Sequence, residues 1–230
     1  MTKIVIIGHE SAGFTAASTA RSIDRQAEII VIERRPYSLY HPCGIPFAIG
    51  GEIADIKTLI EDIKLPNVDL RLRTEAKSID TSGKTVEVLD QNTGKTEKIA
   101  YDSLIIATGS YAFKPPIKGI ELKGVHVVRT VEDGEAIIEA TKKAKRAVVV
   151  GAGAIGVETS VALRRRGLDV WLVEFLPHVL PTLLDQDMAD VVIQRLQQEG
   201  IHVVCDQRLN EIRGDGNVRS VVVGETEYPA

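Results

Sequence analysis

One stretch of this chain reads Arg146-Ala-Val-Val-Val-Gly-Ala-Gly-Ala-Ile-Gly-Val-Glu158, and its pattern sets the fold class. The apolar run Arg146–Val150 predicts a buried parallel strand. The glycines of Gly151–Gly156 have G-x-G-x-x-G spacing and predict a tight turn, after which residues 157–166 predict a helix. Such a turn lets the backbone approach a pyrophosphate at the helix N-terminus, so the stretch predicts a dinucleotide-binding unit.

The strand that follows carries an acidic residue at its end. This strand is predicted over 169–174, and Glu174 lies 18 residues past the last glycine. An acid here accepts a hydrogen bond from a ribose hydroxyl and repels the extra phosphate of NADP, which favours NAD. The residues predicted to bind NAD(H) from this pattern are Gly151, Gly153, Ile155, Gly156 and Glu174.

The N-terminal segment carries the same pattern 143 residues earlier. A strand is predicted over 3–7, a glycine turn over 8–13, a helix over 14–20 and a second strand over 28–33. Glu10 replaces the middle glycine, so an ordinary βαβ turn stays open as the alternative. The residues predicted to bind a second dinucleotide are Gly8, Ser11, Ala12, Gly13, Glu33 and Arg34.

Between the two glycine turns lies Ser38-Leu-Tyr-His-Pro-Cys-Gly-Ile-Pro-Phe-Ala-Ile-Gly-Gly51, which holds Cys43, one of two cysteines in the chain. Gly44 lets other groups approach the sulfur, and Pro46 suits the first turn of a short helix. A cysteine beside the positive end of a helix dipole is a candidate redox nucleophile. The alternative is a small buried core residue, since free cysteine is among the most buried residue types.

The rest of the pattern predicts mixed α/β structure with antiparallel insertions. Further strands are predicted over 67–74, 76–80, 84–89, 96–101, 103–107, 201–204, 208–212 and 218–223, and further helices over 130–144 and 185–198. The predicted fold class is α/β, with two Rossmann-like dinucleotide-binding domains that carry antiparallel β-meander insertions. The predicted domains are residues 1–118 and 146–230, and residues 119–145 connect them.

The composition is that of an ordinary soluble globular protein, with 44% apolar and 26% charged residues among 230 and a net charge of −4. We interpret the basic triplet Arg164–Arg166 as the end of a solvated helix face, so no nucleic-acid partner is expected. No apolar run approaches the about 20 residues that span a bilayer, so no membrane partner is expected. Two cysteines 162 positions apart form no disulfide framework, which favours a cytoplasmic location. No metal site is predicted.

Two dinucleotide sites with a candidate redox cysteine between them point to hydride transfer from a nicotinamide to a flavin. The joint pattern resembles the FAD- and NAD(P)-dependent pyridine nucleotide-disulfide oxidoreductases over the whole chain. The resemblance rests on Gly8–Gly13 with Glu33, on Cys43–Phe47, on Ala107-Thr108-Gly109, and on Gly151–Gly156 with Glu158 and Glu174. It implies that residues 1–118 bind FAD, with Ala107, Thr108 and Gly109 among the contacts, and that residues 146–230 bind NAD(H).

The spacing around Cys43 discriminates between branches of that family. Members with a redox disulfide carry two cysteines separated by four residues, and Ser38 stands at the first of these positions here. Without a resolving cysteine nearby, Cys43 pairs with a small thiol or cycles through a sulfenic acid. Peroxidase-like members carry a histidine where this chain has Ser11, and His9 is out of register. The pattern Cys-Gly-x-Pro-aromatic is more similar to that of the coenzyme A-disulfide reductases.

The resemblance therefore implies that NAD(P)H, with NADH preferred, reduces coenzyme A disulfide or a similar small disulfide through FAD and Cys43. Glu158 is expected near the nicotinamide, with a helix N-terminal acid as its alternative role. Ser38 is expected to help hold the thiol substrate, and His41 to assist proton transfer. The alternative function is an NADH oxidase that reduces oxygen.

Members of the family are roughly twice as long as the 230 residues of this chain. After the point at which this chain stops, they complete the FAD domain and add a dimerisation domain, and they are homodimeric. The resemblance thus implies an N-terminal half, as an expressed fragment, a truncated reading frame or one part of a split protein. A non-catalytic nucleotide-binding module is the third functional alternative.

Overall fold

The computed structural model describes all 230 residues, which form two compact units. Unit 1 comprises residues 1–41 and 60–111, and unit 2 comprises residues 42–59 and 112–230. Neither unit is one continuous stretch of sequence, because residues 42–59 interrupt unit 1 and belong to unit 2. The sequence-based domain boundaries after residues 118 and 145 stay a prediction.

Unit 1 contains one helix and nine strands. They are β1 (Lys3–Ile7), α1 (Ser11–Ile23), β2 (Glu28–Ile32), β3 (Leu39–Tyr40), β4 (Ile60–Glu61), β5 (Asp69–Arg71), β6 (Thr74–Asp80), β7 (Thr85–Asp90), β8 (Thr96–Ala100) and β9 (Ser103–Ile106). Four strands form a parallel sheet in the order β5-β2-β1-β9. β6, β7 and β8 form an antiparallel meander, and β3 pairs with β4.

The parallel sheet of unit 1 is covered by the meander on one face and by α1 on the other. The residues buried on the meander side are Val5, Ile7, Ile30, Ile32, Val86, Val88 and Ile99. The residues buried on the helix side are Ile6, Ala17, Ala27, Ile29 and Val31. Because successive side chains of a strand point to opposite faces, a sheet covered on both faces needs continuous apolar runs, as the sequence of β1 and β2 supplies.

Unit 2 contains four helices, six strands and two 3₁₀ turns, which cover Pro42–Gly44 and Ile56–Leu59. The helices and strands are α2 (Ile45–Gly50), α3 (Val131–Thr141), β10 (Arg146–Val150), α4 (Ala154–Arg165), β11 (Asp169–Val173), α5 (Gln186–Gln198), β12 (Ile201–Val204), β13 (Leu209–Asp215), β14 (Asn217–Val223) and β15 (Thr226–Pro229). β10, β11 and β12 form a parallel sheet, and β13, β14 and β15 form an antiparallel one. The two sheets share a core of Val173, Leu209, Ile212, Val221 and Val223.

The order of strand, glycine turn, helix and strand predicted at both fingerprints is confirmed, and β1 and β10 have the predicted bounds. The single strand predicted over 67–74 is wrong, because the chain turns at Arg73, which has a φ of +51°. α4 begins three residues before the predicted start at 157, because Gly156 lies inside its first turn. β15 was not predicted from the sequence.

None of the five helices is long and apolar enough to cross a lipid bilayer.

The contact between the meander and the sheet gives a first prediction. Ile99 on β8 is 5% exposed, whereas Ile79 on β6 of the same meander is 38% exposed. Ile99→Ala should lower the free energy of unfolding by about 2–4 kcal/mol, because it removes buried apolar contacts and leaves a cavity. Ile79→Ala is the matched control and should change it by less than about 0.5 kcal/mol. Urea titrations followed by circular dichroism measure both, and equal losses would show that the meander is not packed as described.

Candidate functional site

The first glycine turn connects β1 to α1 in unit 1. Gly8 has a φ of +99°, and a Cβ atom there would lie 2.2 Å from the Ala107 carbonyl oxygen. A Cβ atom on Gly13 would lie 1.9 Å from the carbonyl oxygen of Gly8. Only glycine fits at either position, so the fold brings together three of the predicted residues, Gly8, Gly13 and Ala107.

The start of α1 is open to an anionic group. Ser11 and Ala12 are its first residues and are exposed, and no side chain caps this helix end. The first amides of a helix have no intrahelical acceptor, and they carry the positive end of its dipole. Thr108 and Gly109 are exposed just after β9, beside Ala107. The tight turn and the open helix end fit the pyrophosphate of a dinucleotide.

Glu33, directly after β2, forms a hydrogen bond with the backbone of this turn. Its side chain is 4% exposed, and its Oε2 accepts a hydrogen bond of 2.8 Å from the backbone N–H of His9. Arg35 donates to Glu33 from its backbone N–H and its Nε, both at 2.9 Å, and from its Nη2 at 2.9 Å. Arg35 also donates from Nη1 to Glu10 at 2.8 Å. The neighbouring Arg34 is exposed. Glu33 therefore has a structural role in the turn, and its role towards a ribose stays a prediction.

The charges around this turn shift two pKa values. Burial alone would raise the pKa of Glu33, but the hydrogen bonds and positive charge of Arg35 outweigh it, so the pKa lies below its ordinary value. Burial lowers the pKa of His9, which favours the neutral imidazole. The site thus holds a charged Glu33–Arg35 pair beside an uncharged histidine.

The second glycine turn, in unit 2, has the same construction. Gly151 has a φ of +94°, and a Cβ atom on Gly156 would lie 1.8 Å from the Gly151 carbonyl oxygen. Glu174 is 8% exposed, and its two oxygens accept from Ala152 N at 2.7 Å and Leu176 N at 2.8 Å. A Cβ atom on Gly153 would meet nothing within 4 Å, so this glycine is not required by the packing. The open space at Gly153 fits the close approach of a pyrophosphate.

The two turns share one hydrogen-bond pattern that sequence reasoning missed. In each, the acid at the end of the second strand accepts from the residue after the first glycine and from the residue two positions beyond itself. The acid had been predicted from its distance to the glycines, but only as a ribose ligand. The sequence signal for this structural role is the apolar run directly before the acid, which indicates that the acid itself is buried.

Two further predicted residues lie on α4. Ile155 is 57% exposed in the first turn of the helix, and Glu158 is exposed one turn later. Glu158 lines a cavity of about 190 Å³ within unit 2, together with Phe47 of α2 and residues along α4. Phe47 was not predicted as a site residue, and it is 46% exposed beside Glu158. The cavity lies between α4, from Val157 to Arg165, and the helix that follows Cys43.

Cys43 lies in the 3₁₀ turn Pro42–Gly44, directly before α2, and is exposed. The alternative interpretation of a buried core residue is therefore wrong. A Cβ atom on Gly44 would lie 2.3 Å from a methyl carbon of Leu59, so the glycine makes room for Leu59 in this conformation. Cys205 is a free, half-buried thiol, and burial with the nearby Glu174 charge raises its pKa. Cys205 is thus the less reactive of the two by exposure.

The two residues predicted to contact substrate lie in different surroundings. Ser38 is fully buried, its Oγ donates to the Ile63 carbonyl at 3.0 Å, and it lies 3.1 Å from His9 Nδ1. His41 is half exposed, and its Nε2 lies 3.0 Å from an oxygen of Glu61. The hydroxyl of Ser38 is therefore used inside unit 1, beside the first glycine turn. The substrate roles of Ser38 and His41 stay predictions.

Known proteins are similar to this chain in sequence and in fold. A family model described as "Pyridine nucleotide-disulphide oxidoreductase" matches residues 2–229. An NADH oxidase of Methanocaldococcus jannaschii is 41% identical over 98% of this chain and 52% of its own length. The chain spans about half the length of the curated relatives it matches.

Two solved structures superpose closely on the whole chain. The NAD-dependent persulfide reductase from A. fulgidus has a TM-score of 0.94 and 36% identity, over 99% of this chain and 44% of that one. The reduced CoADR-RHD of Bacillus anthracis has a TM-score of 0.92 and 30% identity, over 99% of this chain and 42% of that one. Such superposition over nearly every residue agrees with the α/β architecture described above.

Two glycines of the second turn, Gly153 and Gly156, give a second prediction. Gly156→Ala should destabilise the chain by about 1–3 kcal/mol, because its Cβ would overlap the Gly151 carbonyl. Gly153→Ala should cost less, about 0.5–1 kcal/mol, since its φ of −70° suits alanine and nothing lies nearby, which leaves only the cost of alanine at a helix N-cap. It should nevertheless weaken NAD⁺ binding about tenfold, because the methyl group occupies the pyrophosphate's approach. Calorimetric titration with NAD⁺ checks this, and unchanged affinity in Gly153→Ala would place the dinucleotide elsewhere.

The Glu33–Arg35 pair gives a third prediction, on acid stability. A carboxyl whose folded pKa is lowered stabilises the fold above its ordinary value of 4.5, and this stabilisation is lost as the pH falls through the folded pKa. Arg35→Met leaves Glu33 buried without its cation, so its pKa should rise and acid unfolding should begin at higher pH. The measurement is a pH titration of unit 1 signals by NMR or circular dichroism.

Arg71 offers the matched control for that variant. It lies in the same unit and pairs with Asp69 and Glu97, whose side chains are half exposed. Surface pairs of this kind contribute little, so Arg71→Met should leave the acid midpoint in place. Equal shifts in both variants would show that the Glu33–Arg35 pair has no special role.

Proposed function

We propose that this chain, which belongs to the pyridine nucleotide-disulphide oxidoreductase family, serves the reduction of a small disulfide or persulfide by NAD(P)H. Coenzyme A disulfide, or a disulfide of similar size, is the proposed substrate, and Cys43 is the proposed redox residue. The observation that carries the proposal is the exposed thiol of Cys43 in a turn without a second cysteine nearby in sequence. A lone exposed thiol has to take its disulfide partner from a substrate.

The two glycine turns fit the cofactors that this proposal needs. The first turn, with Gly8, Gly13 and the open N-terminus of α1, would hold the pyrophosphate of FAD. The second turn would hold that of NAD(H) at the start of α4. FAD, when bound, supplies an acceptor for the nicotinamide hydride and a source of two electrons for a sulfur–sulfur bond.

NADH is the preferred reductant in this proposal. Glu174 places a carboxylate at the strand end where a ribose would lie, and the residues after it, Phe175 and Leu176, are uncharged and partly exposed. The 2′-phosphate of NADPH would meet a negative charge there. Discrimination against NADPH follows from that repulsion.

Cys43 would perform the chemistry on the substrate. Its thiolate attacks one sulfur of a disulfide RSSR, so that a Cys43–S–S–R bond forms, the substrate S–S bond breaks and one RS⁻ leaves. Two electrons that originate in NADH then cleave the mixed disulfide, which restores Cys43 and releases the second RS⁻. With protons from solvent, the sum is NADH + H⁺ + RSSR → NAD⁺ + 2 RSH. The exposure of Cys43 lets a disulfide from solution reach the sulfur.

A second candidate function is reduction of oxygen by NADH, with Cys43 cycling through a sulfenic acid. The 41% identity to the NADH oxidase of M. jannaschii favours it. Its sum is 2 NADH + 2 H⁺ + O₂ → 2 NAD⁺ + 2 H₂O. Against it, Ser11 occupies the position of the histidine that the peroxidase-like branch uses, and His9 is buried against Ser38.

In either case we expect a cytoplasmic enzyme without nucleic-acid or membrane partners, homodimeric at full length.

Replacing Cys43 gives the fourth prediction, on the 230-residue chain reconstituted with FAD. Cys43→Ser should lower NADH-dependent reduction of coenzyme A disulfide at least about 100-fold, because no sulfur remains to form the mixed disulfide. Bleaching of the flavin absorbance by NADH should persist. Cys205→Ser, the matched control, should keep both activities.

Three other outcomes would contradict this assignment. Full disulfide reduction in Cys43→Ser would remove the proposed role of the cysteine. NADH-dependent oxygen consumption without added disulfide, at a rate above disulfide reduction, would favour the oxidase. A colourless chain that binds NAD⁺ but retains no flavin would favour a non-catalytic nucleotide-binding module.

A further inference from the structure

Three consecutive arginines lie at the end of α4, and all three are exposed, as the predicted solvated helix face requires; each also has a partner within unit 2. Arg164 donates to the backbone carbonyls of Glu199 at 3.0 Å and Leu168 at 3.2 Å. Arg165 forms a half-exposed ion pair with Glu52. Arg166 donates from Nε to the Ile49 carbonyl at 2.6 Å and from Nη2 to the Ala48 carbonyl at 3.3 Å. Two of the three arginines thus bind backbone carbonyls of other segments within unit 2.

The carbonyls that Arg166 binds lie in the last turn of α2. This helix has six residues, which is too short to be stable without tertiary contacts. The last carbonyls of a helix lack intrahelical donors. Gly51 N donates to Ala48 at 3.1 Å and Glu52 N to Phe47 at 2.9 Å, while the Ile49 carbonyl accepts from Arg166. A guanidinium also complements the negative end of the helix dipole.

Small residues let α2 lie close to α4. A Cβ atom on Gly50 would be 3.4 Å from the Cα of Ala162, which is 4% exposed on α4. A Cβ atom on Gly51, whose φ is +88°, would be 3.3 Å from the guanidinium carbon of Arg166. The C-terminus of α2 is therefore held by a glycine–alanine contact and by Arg166 together.

The other end of α2 rests on different elements. Ile45, its first residue, is 1% exposed, and a Cβ atom on Gly134 of α3 would lie 3.0 Å from its side chain. Cys43 lies two residues before Ile45, in the 3₁₀ turn that leads into the helix. If the C-terminus of α2 were released, the helix could pivot about the contact with α3, and the turn with Cys43 would move with it.

We propose that Arg166 is a positioning residue for Cys43: it fixes the helix behind the thiol onto α4, the helix that begins at the second glycine turn. This inference rests on the proposed function, since it concerns the geometry in which Cys43 meets a disulfide. Arg166 has no catalytic role in this proposal, because its guanidinium donates to backbone carbonyls. α4 thereby connects a nucleotide-binding turn at one end with the support of the thiol at the other.

The fifth prediction tests this with Arg166→Met and its matched control, Arg164→Met, in a Cys205→Ser background where Cys43 is the only thiol. Hydrogen exchange followed by mass spectrometry is measured on the chain without substrate. In Arg166→Met, amides in residues 42–53 should exchange about tenfold faster, because α2 loses a charged hydrogen-bond donor. In Arg164→Met those amides should be unchanged, and faster exchange should instead appear near residues 196–204.

The thiol itself supplies the second measurement. Cys43 in Arg166→Met should react with 5,5′-dithiobis(2-nitrobenzoate) about threefold faster, because the loosened turn samples more open conformations. Turnover of coenzyme A disulfide by the FAD-loaded chain should fall, while flavin bleaching by NADH stays unchanged. Unchanged flavin bleaching, together with faster exchange that is confined to residues 42–53, distinguishes lost positioning from general unfolding. Arg166→Lys keeps the charge but has a single donor nitrogen. Its reactivity with the reagent and its turnover should therefore lie between those of wild type and Arg166→Met.

Two results would overturn the inference. One is exchange in residues 42–53 that is no faster in Arg166→Met than in Arg164→Met. The other is faster exchange there with unchanged reactivity of Cys43, which would show that the contact of Arg166 with α2 does not affect the thiol. Failure of the proposed function would be seen in a different measurement, as full disulfide reduction in Cys43→Ser. That measurement does not depend on the exchange data. If Arg166→Met fails to fold, Arg166→Lys carries the same comparison.

Discussion

Both glycine turns depend on one interaction, a buried carboxylate that accepts the N–H of the residue after the first glycine. Glu33 does this for His9 at 2.8 Å, and Glu174 does it for Ala152 at 2.7 Å. An N–H left without acceptor inside a protein costs about 1–3 kcal/mol, so the carboxylate stabilises the closed turn by a cost of that order. The carboxylate therefore fixes the backbone at the point where a pyrophosphate would lie. Around this shared interaction the turns differ, since Arg35 neutralises Glu33 whereas apolar residues follow Glu174.

Much of the fold could be predicted from the sequence because its signals are local. Continuous apolar runs identify β1, β2, β10 and β11, and glycines at fixed spacing identify the turns between strand and helix. Local signals fail where a single backbone angle determines where a strand ends. At Arg73 a positive φ ends one strand, and the next strand begins at Thr74. Local signals also fail for β15, since its sequence Thr226–Pro229 has no apolar alternation and gains its order from pairing with β14.

The candidate site was predictable to a smaller degree, because its contacts join segments far apart in sequence. Cys43 and both glycine turns could be found from motifs. The burial of Ser38 against His9, and the contacts of Arg166 with α2, depend on pairs separated by 29 and 117 positions. No pattern in a single sequence specifies such pairs. An arginine triplet at an exposed helix end has the same appearance in the sequence whether or not its guanidinium groups also bind a neighbouring backbone.

The interrupted order of the two units has a consequence for synthesis on the ribosome. Residues 42–59 are made early, yet they belong to a unit whose other part begins at residue 112. α2 ends at Gly50 and α4 begins at Ala154, so translation at about 5–20 residues per second separates them by roughly 5–20 s. During that interval the nascent chain exposes Ile45 and Ile49, which are 1% and 0% exposed in the folded protein. α2, which follows the thiol, therefore lacks its packing partner α4 until well after α2 itself has been made.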